Sequence, residues 1–312
     1  MRPRLLARVF ELVTLALALA ASLTAPQEAR AQQQPARRDT VGTDSTQMYI
    51  LRTRDGSLFV GRLTRATVDT VYFVSAGGPI ALPRSAVVEL RQLGRGAMRS
   101  GVYWPPNPAE TRLFFAPTGR MLPRGEGYFS DTYLFFLNFV GGLTPRITLG
   151  GGFSVFPTGD FTDNILYLTP KVGLVQTPRF NLAAGALIGF AGFGSLDFGG
   201  GSSNSFGILY GVGTGGSPDA SVTFGAGVAY AGSDLANRPL LMLGGEKRVA
   251  RRVSLVTENY ALPGDNGTLV SYGVRFFGDR LSTDLAFWNL FGIDDYDPVF
   301  PGIPYVAFAV KF

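Results

Sequence analysis

Four charged residues of alternating sign near the end of the chain are the strongest candidates for chemistry: Glu258, Arg275, Asp284 and Lys311. Each lies in a stretch where apolar residues alternate with small or polar ones, so each is predicted on the inner face of a β-strand. Two interpretations stay open. The four residues form a salt-bridge ladder across neighbouring strands, or they form a charged constriction that selects ions in a pore.

Catalytic chemistry is disfavoured, because the chain has no histidine and no cysteine. This removes the Ser-His and Cys-His nucleophile systems, thiolate metal sites and disulfides. The acidic loop residues Asp294, Asp295 and Asp297 lack a full calcium-loop spacing and are interpreted as a solvated loop. The sequence therefore predicts no enzyme, no cofactor and no metal site.

A repeated two-residue period positions the charged residues. The chain has 41 glycines, 25 phenylalanines and 12 tyrosines, and only 16% of its residues are charged. Val270, Tyr272, Val274 and Phe276 share one face of a predicted strand, and Arg275 lies on the other face. An apolar, aromatic face opposite a small or polar face is typical of a membrane barrel with lipid outside and a lumen inside. The predicted fold class is all-β, an antiparallel transmembrane β-barrel.

Twelve strands are predicted, with ten as the fallback. The two insecure strands are the first, which is short, and the second, which is too long and loses its alternation. Tight turns alternate with longer loops, and in such barrels the short turns are periplasmic. Because the strand number is even, both ends of the barrel are then predicted on the periplasmic side. The twelve strands are predicted at 111–118, 125–142, 146–157, 164–176, 180–193, 205–216, 220–232, 239–249, 252–263, 267–278, 281–292 and 303–312.

One part of the predicted lumen wall is rich in glycine, which leaves volume for water, for an apolar ligand or for an inserted polypeptide segment, unless the glycines only allow the wall to bend. The inward positions assigned there are Ala183, Gly185, Gly189, Gly207, Gly211, Gly213, Gly225, Gly227 and Ala229.

A smaller unit precedes the barrel. Residues 46–95 contain five short apolar strands, with hairpin turns at Asp55-Gly56 and Gly77-Gly78. The pattern resembles the small SH3-like or Sm-like barrels, and the resemblance implies an interaction module or adaptor. Because residues 1–31 are predicted to be an export signal, we expect this unit to bind a periplasmic partner and not nucleic acid.

The remaining segments connect these units. Residues 1–31 have the basic, apolar and A-x-A regions of a signal peptide, with cleavage after Ala31. Residues 32–45 are predicted to be a disordered linker, and residues 96–110 a proline-rich connector before a barrel at 111–312. In the connector, Tyr103 and Trp104 either anchor at a membrane interface or cap the small domain.

The last strand resembles the C-terminal signature of bacterial outer-membrane β-barrel proteins, through Val306, Phe308, Val310 and Phe312. The resemblance implies that the barrel-assembly machinery reads these residues, and that the protein resides in outer-membrane lipid with its N-terminal domain in the periplasm. The expected function is a passive pore or an uptake barrel for small solutes or ligands. The alternatives are a non-conducting anchor whose periplasmic domain binds partners and, less favoured, a lipid-modifying barrel enzyme.

Overall fold

The computed structural model describes residues 47–94, 96–156, 164–190, 205–263, 267–293 and 298–312. The predicted cleavage site at Ala31, the linker 32–45 and the acidic residues Asp294, Asp295 and Asp297 lie outside these ranges. The chain divides into two compact units, one ending at Leu93 and one running from Gly94 to Phe312. In the described ranges, no helix combines the length and the apolar character needed to span a membrane.

The first unit is one antiparallel sheet with the strand order β4-β3-β2-β1-β5. Leu51, Leu63, Val71 and Phe73 form its buried core. A single 3-10 turn at Arg84–Ala86 precedes the last strand. Assignment of this sheet to the SH3-like or Sm-like barrels stays a prediction. Its strands are β1 (Tyr49–Thr53), β2 (Leu58–Ala66), β3 (Thr70–Ser75), β4 (Gly78–Pro83) and β5 (Val87–Gln92).

The second unit begins with a small hairpin and continues as a large antiparallel sheet. The hairpin strands are β6 (Met98–Arg99) and β7 (Val102–Tyr103). The strands of the large sheet are β8 (Gly127–Thr132), β9 (Phe136–Thr144), β10 (Ile147–Ser154), β11 (Leu166–Leu168), β12 (Lys171–Gln176), β13 (Phe180–Phe190), β14 (Ser205–Ser217), β15 (Ala220–Ala231), β16 (Asp234–Leu235), β17 (Leu240–Ala250), β18 (Val253–Ala261), β19 (Thr268–Phe277), β20 (Leu281–Phe291) and β21 (Ile303–Lys311).

The large sheet closes on itself, because β21 pairs with β8 from Ala307↔Thr132 to Lys311↔Tyr128. β11 and β12 both pair with β10 and β13, so together they form one wall strand. β16 pairs only with the end of β15. Among the described residues the wall therefore has twelve strands, which confirms the predicted barrel and its strand number. Closure leaves no unpaired edge in the ring.

The exterior of the barrel is apolar and the interior is polar or small. Phe139, Val222, Phe224, Leu243 and Leu255 point outward, each with more than half of its surface exposed. Their neighbours on the inner face include Thr223, Ser254 and Ser271, which are buried. This alternation presents an apolar band to lipid, as in transmembrane barrels.

Two predicted strands at the start of the barrel were wrong. Residues 111–118 form no strand, and Arg112 and Pro117 make only an isolated bridge. Residues 125–142 are broken into β8 and β9 by a turn in which Tyr133 and Leu134 have positive φ angles of 60° and 64°. The predicted strand at 111–118 is absent, and the predicted strand at 125–142 is two strands. The total therefore stays at twelve.

The inner face of β14 also differs from the prediction. Val212, which is buried, pairs with Gly225, whereas Leu209 is exposed on the outside. Gly207, Gly211 and Gly213 therefore face outward with Leu209. The inward residues of β14 are Phe206, Ile208, Tyr210, Val212 and Thr214.

Large neighbouring side chains cover part of the inward glycine positions. A Cβ added at Gly185 would lie 2.5 Å from the hydroxyl oxygen of Tyr210. A Cβ added at Gly189 would lie 2.7 Å from the ring of Phe206. The glycines thus give aromatic side chains of β14 room to lie across β13, which uses part of the volume that the sequence left open.

Candidate functional site: the occupied lumen

A segment of the chain that precedes the barrel strands lies inside the barrel. We call residues 105–122 the lumen segment. Ala109, Leu113, Phe114, Ala116 and Leu122 are almost fully buried, with 1–5% of their surface exposed. The buried lumen-segment residues Leu113 and Phe114 pack with wall residues such as Val212, Val256 and Tyr305 in one apolar cluster.

A compact group of charges joins the lumen segment to one side of the wall. We call Arg112, Glu246, Arg275 and Asp284 the charge latch. Arg275 Nε donates to Asp284 Oδ1 at 2.6 Å, and Arg275 Nη1 donates to Glu246 Oε2 at 2.8 Å. From the lumen segment, Arg112 Nη1 donates to Asp284 Oδ2 at 2.9 Å. Two guanidinium groups thus balance two carboxylates. Burying any one of these charges without a partner would carry a large desolvation penalty.

The wall strands explain why these charges meet. Arg275 in β19 lies directly opposite Asp284 in β20. Both residues are inward and completely buried. Arg275 also donates to main-chain carbonyls of the lumen segment, with 2.5 Å from Nη2 to Leu113 O and 3.3 Å from Nη1 to Arg112 O. Arg275 therefore joins the wall to the lumen segment through hydrogen bonds to both.

Glu258 fixes the innermost turn of the lumen segment. Its Oε2 accepts hydrogen bonds from the main-chain N–H groups of Phe115 and Ala116 at 3.0 and 3.1 Å. Its Oε1 accepts from the hydroxyl of Tyr260 at 2.6 Å. The hydroxyl of Tyr305 donates to Phe114 O at 2.9 Å. The buried carboxylate thus satisfies main-chain donors that have no strand partner in this turn.

The return leg of the segment contacts another part of the wall. Lys171 Nζ donates to Thr118 O at 3.1 Å and to Arg120 O at 2.8 Å. Gly119 N donates to Thr214 Oγ1 at 2.8 Å. A Cβ at Gly119 would lie only 2.2 Å from Asn181 O, so the close approach of the segment to β13 requires glycine there.

Both ends of the lumen segment lie at the same end of the barrel. We call it the short-turn end, because the wall turns at 145–146, 177–179, 218–219, 251–252 and 278–280 lie there. Near the start of the segment, Tyr103 donates to Asp279 at 2.6 Å, and Arg248 donates to Pro105 O at 3.0 Å. Beyond its end, Gly125 N donates to Gly142 O at 2.9 Å.

Trp104 takes a role that neither sequence interpretation described. The guanidinium carbons of Arg99 and Arg248 lie 4.3 and 4.7 Å from the centre of its ring. Both arginines also pair with Asp219, in the turn between β14 and β15. Cation–π contacts and ion pairs thus tie the connector to the rim of the barrel.

The four residues singled out in the sequence have different partners. Arg275 and Asp284 come together. Glu258 holds the turn of the lumen segment, and Lys311 pairs with Glu126 at 2.7 Å near the short-turn end. Glu246 in β17 and Lys171 in β12 are also buried and bonded. Val306 and Val310 face outward at the seam, where Phe312 exchanges two main-chain hydrogen bonds with Gly127 at 2.8 and 3.0 Å.

Sequence reasoning missed Arg112, Asn107 and the main-chain groups of the lumen segment. One signal was present. The inward positions near the latch carry three acids, Glu246, Glu258 and Asp284, and the one base Arg275. Such an excess of buried acid requires further donors, which the lumen segment supplies.

Two kinds of space remain beside the segment. A cavity of about 120 Å³ lies between the segment and the wall made by β8 to β14, and most of its lining is apolar; we call it the polar cavity because Arg112 and Lys171 line it. An apolar cavity of about 330 Å³ lies toward the opposite end of the barrel and is lined by residues such as Phe115, Phe206 and Trp288. The segment is therefore bonded to the wall through both of its legs, and space remains beside it.

Asp219 makes the rim contacts sensitive to acid. Burial raises the pKa of its carboxyl, but the hydrogen bonds and charges of Arg99 and Arg248 outweigh burial and hold the pKa below its ordinary value. A lowered folded-state pKa means that the stabilisation is fully present above the unfolded pKa of about 3.9. It is lost as the pH falls through the folded-state pKa.

We expect Asp219→Asn to loosen the connector at neutral pH, because it removes the charge that both arginines share. Tryptic cleavage after Arg99 should accelerate by about two- to fivefold, as an ion pair of about 0.5–1 kcal/mol permits. Asp234→Asn, at an exposed position in β16, is the control. Equal cleavage rates in the two variants would contradict the assigned role of Asp219.

Comparison with known proteins finds only distant structural likenesses. No protein-family model matches the chain, and no curated protein matches it. Among solved structures, the NanC porin is 10% identical over 60% of this chain and 97% of its own, with a TM-score of 0.37. A loop-deletion mutant of OmpT, an outer membrane protein of Vibrio cholerae, is 14% identical over 85% and 96%, with a TM-score of 0.33. OmpF of Salmonella typhi in complex with daunomycin is 10% identical over 85% and 95%, also with a TM-score of 0.33. All three TM-scores lie below 0.5.

Proposed function

We propose that this chain is an outer-membrane β-barrel that passes small solutes through a lumen which the lumen segment keeps closed at rest. The observation that carries the proposal is the space that remains beside the segment although both of its legs are bonded to the wall. The charge latch and Glu258 hold its first leg to β17–β20, Lys171 and Thr214 hold its return leg to β12 and β14, and the polar cavity lies beside it. A segment fixed in this way narrows the lumen without filling it.

The direction of the path supports solute passage. The cavity lining includes Tyr128, Ser130 and Thr132, which are successive inward residues along β8. It also includes Thr148, at the short-turn end of β10, and Phe136, at the other end of β9. The cavity thus follows the wall for most of its height.

The location and the partners follow from the same proposal. The apolar exterior fits outer-membrane lipid, and the C-terminal strand is the part that the barrel-assembly machinery would read. With the short turns in the periplasm, the first unit lies there too and is available to a periplasmic partner. We assign no catalytic activity, since the sequence offers neither histidine nor cysteine.

Conductance of the refolded protein in a planar bilayer tests the proposal. We expect the wild type to be closed for most of the time. Glu258→Ala removes the acceptor for two main-chain N–H groups and should raise the open fraction by about tenfold or more, as loss of charge-assisted hydrogen bonds allows. Glu126→Ala is the matched control, because Glu126 pairs with Lys311 and not with the turn of the segment.

The competing candidate is a non-conducting anchor. The complete burial of Glu258, Arg275 and Asp284 favours it, because groups along a water-filled path normally keep contact with solvent. If neither the wild type nor Glu258→Ala conducts while both are folded, the pore is excluded and the anchor remains.

A further inference from the structure

The polar cavity beside the lumen segment has an unbalanced chemical lining. Arg112 and Lys171 both line it, and each is more than nine-tenths buried. Among the described residues, no carboxylate lines it. The rest of its polar lining consists mainly of hydroxyl groups, including those of Thr148, Tyr167 and Tyr210. The described lining of the cavity therefore contains two basic side chains and no acidic one.

Two of the side-chain nitrogen atoms of Arg112 have no hydrogen-bond partner among the described residues. Its Nη1 is used by Asp284 and by main-chain carbonyls. Its Nε and Nη2 are buried and have no hydrogen-bond partner among the residues that the structure describes. Buried donors without partners cost free energy, and a planar guanidinium edge with two free N–H groups matches the two oxygens of a carboxylate or phosphate.

Lys171 adds a second positive charge. Its Nζ donates to two carbonyl oxygens of the lumen segment, Thr118 O and Arg120 O, and no ion pair to a carboxylate is found for it within the described ranges. Neutral carbonyl oxygens accept its hydrogen bonds but supply no opposite charge, whereas the charges of the latch balance one another. An anion in the cavity would supply the missing charge.

The neutral polar groups indicate more than a bare anion. Asn138 Oδ1 and Thr148 Oγ1 line the same cavity, and both are buried without a hydrogen-bond partner in the described part of the chain. An amide oxygen accepts a hydrogen bond, and a hydroxyl can donate or accept one. Together they suit a hydroxyl group next to the anionic group.

We propose that this cavity binds a small oxyanion, a carboxylate or phosphate group with hydroxyls beside it, held by Arg112 and Lys171. The inference rests on the proposed function in one respect, since such a site would set the class of solute that enters the lumen. Binding, however, requires no conduction.

Isothermal titration of the refolded full chain in detergent, at constant chloride, tests the site with three probes. Glycerate and inorganic phosphate are the anions, and glycerol is a neutral probe with the hydroxyls but without the charge. We expect at least one anion to bind and glycerol not to bind. A preference for glycerate identifies an organic acid as the solute class, and a preference for phosphate identifies a phosphate group.

Variants separate the site from general stability. Lys171→Gln keeps donors for Thr118 O and Arg120 O but removes the charge, and it should weaken anion binding by about tenfold or more. Lys311→Gln removes a charge outside the cavity and should leave binding unchanged. Thr148→Val keeps volume and charge, and it should weaken glycerate binding more than phosphate binding, so the site is tested even if Lys171→Gln does not fold.

Three results would overturn the proposal. The first is the absence of binding of either anion up to about 10 mM, which corresponds to less than about 3 kcal/mol of affinity; the free donors would then serve water. The second is equal binding of glycerol and glycerate. The third is an equal effect of Lys171→Gln and Lys311→Gln. A closed, non-conducting barrel that still binds the anion would contradict the proposed function and leave this inference intact.

Discussion

Replacing Arg275 with alanine is expected to lower the free energy of unfolding of the barrel by about 3–5 kcal/mol, because it leaves buried carboxylates without their main partner. Arg275 is completely buried and bonds Asp284, Glu246 and a carbonyl of the lumen segment. Part of the loss is offset, since Arg112 still pairs with Asp284 and Asn107 still donates to Glu246 at 2.7 Å. The change should also lower the yield of folded protein.

Urea unfolding of the refolded barrel measures the change in stability. The yield is measured as the fraction of protein whose electrophoretic mobility changes on heating, which is the folded fraction. Arg146→Ala, at an exposed position in a short turn, is the control and should change stability by less than about 0.5 kcal/mol. If the two variants unfold at the same midpoint with the same slope, the carboxylates of the latch are hydrated and the lumen is wet at that depth.

Replacing Gly119 with alanine is expected to displace the return leg of the lumen segment from the wall. The added Cβ would meet main-chain atoms of two wall strands, with 2.2 Å to Asn181 O and 3.1 Å to Thr214 N. Main-chain atoms of a paired sheet cannot move aside cheaply, and overpacking of this kind costs about 1–3 kcal/mol. The cost falls on the position of the segment, so the strands should still form.

Hydrogen exchange at residues 118–121 should therefore rise by about fivefold or more, as a local loss of more than about 1 kcal/mol implies. The matched control is Gly211→Ala, since Gly211 lies in β14 and a Cβ there meets nothing within 4 Å. If both glycine variants show the same protection of residues 118–121, the seating of the return leg does not depend on Gly119.

The repeat of two residues was enough to predict the barrel, because lipid outside and side chains inside impose the same alternation on every wall strand. It predicted the inward positions of Glu258, Arg275 and Asp284 for that reason. The two-residue period failed at one turn and on one strand. The turn at Tyr133 and Leu134 has no glycine or proline to indicate it, and in β14 glycines occupy outward positions that normally carry apolar side chains.

The lumen segment could not be predicted from periodicity at all. Its residues form no regular element, and its hydrogen bonds join positions far apart in the chain, such as Leu113 with Arg275 and Phe114 with Tyr305. Local patterns cannot report such pairs. The imbalance of buried acids over bases in the wall indicates that a partner is required, but it does not say which stretch of the chain supplies it.

The lumen segment enters and leaves through the same opening, and this has a topological consequence. It is a re-entrant loop and not a thread, so the closed ring of strands is no obstacle to its withdrawal. Removing it would break bonds such as those from Arg275 to Leu113 O and from Phe115 N to Glu258. No rung of the ladder between neighbouring wall strands, including the β21–β8 seam, would have to open.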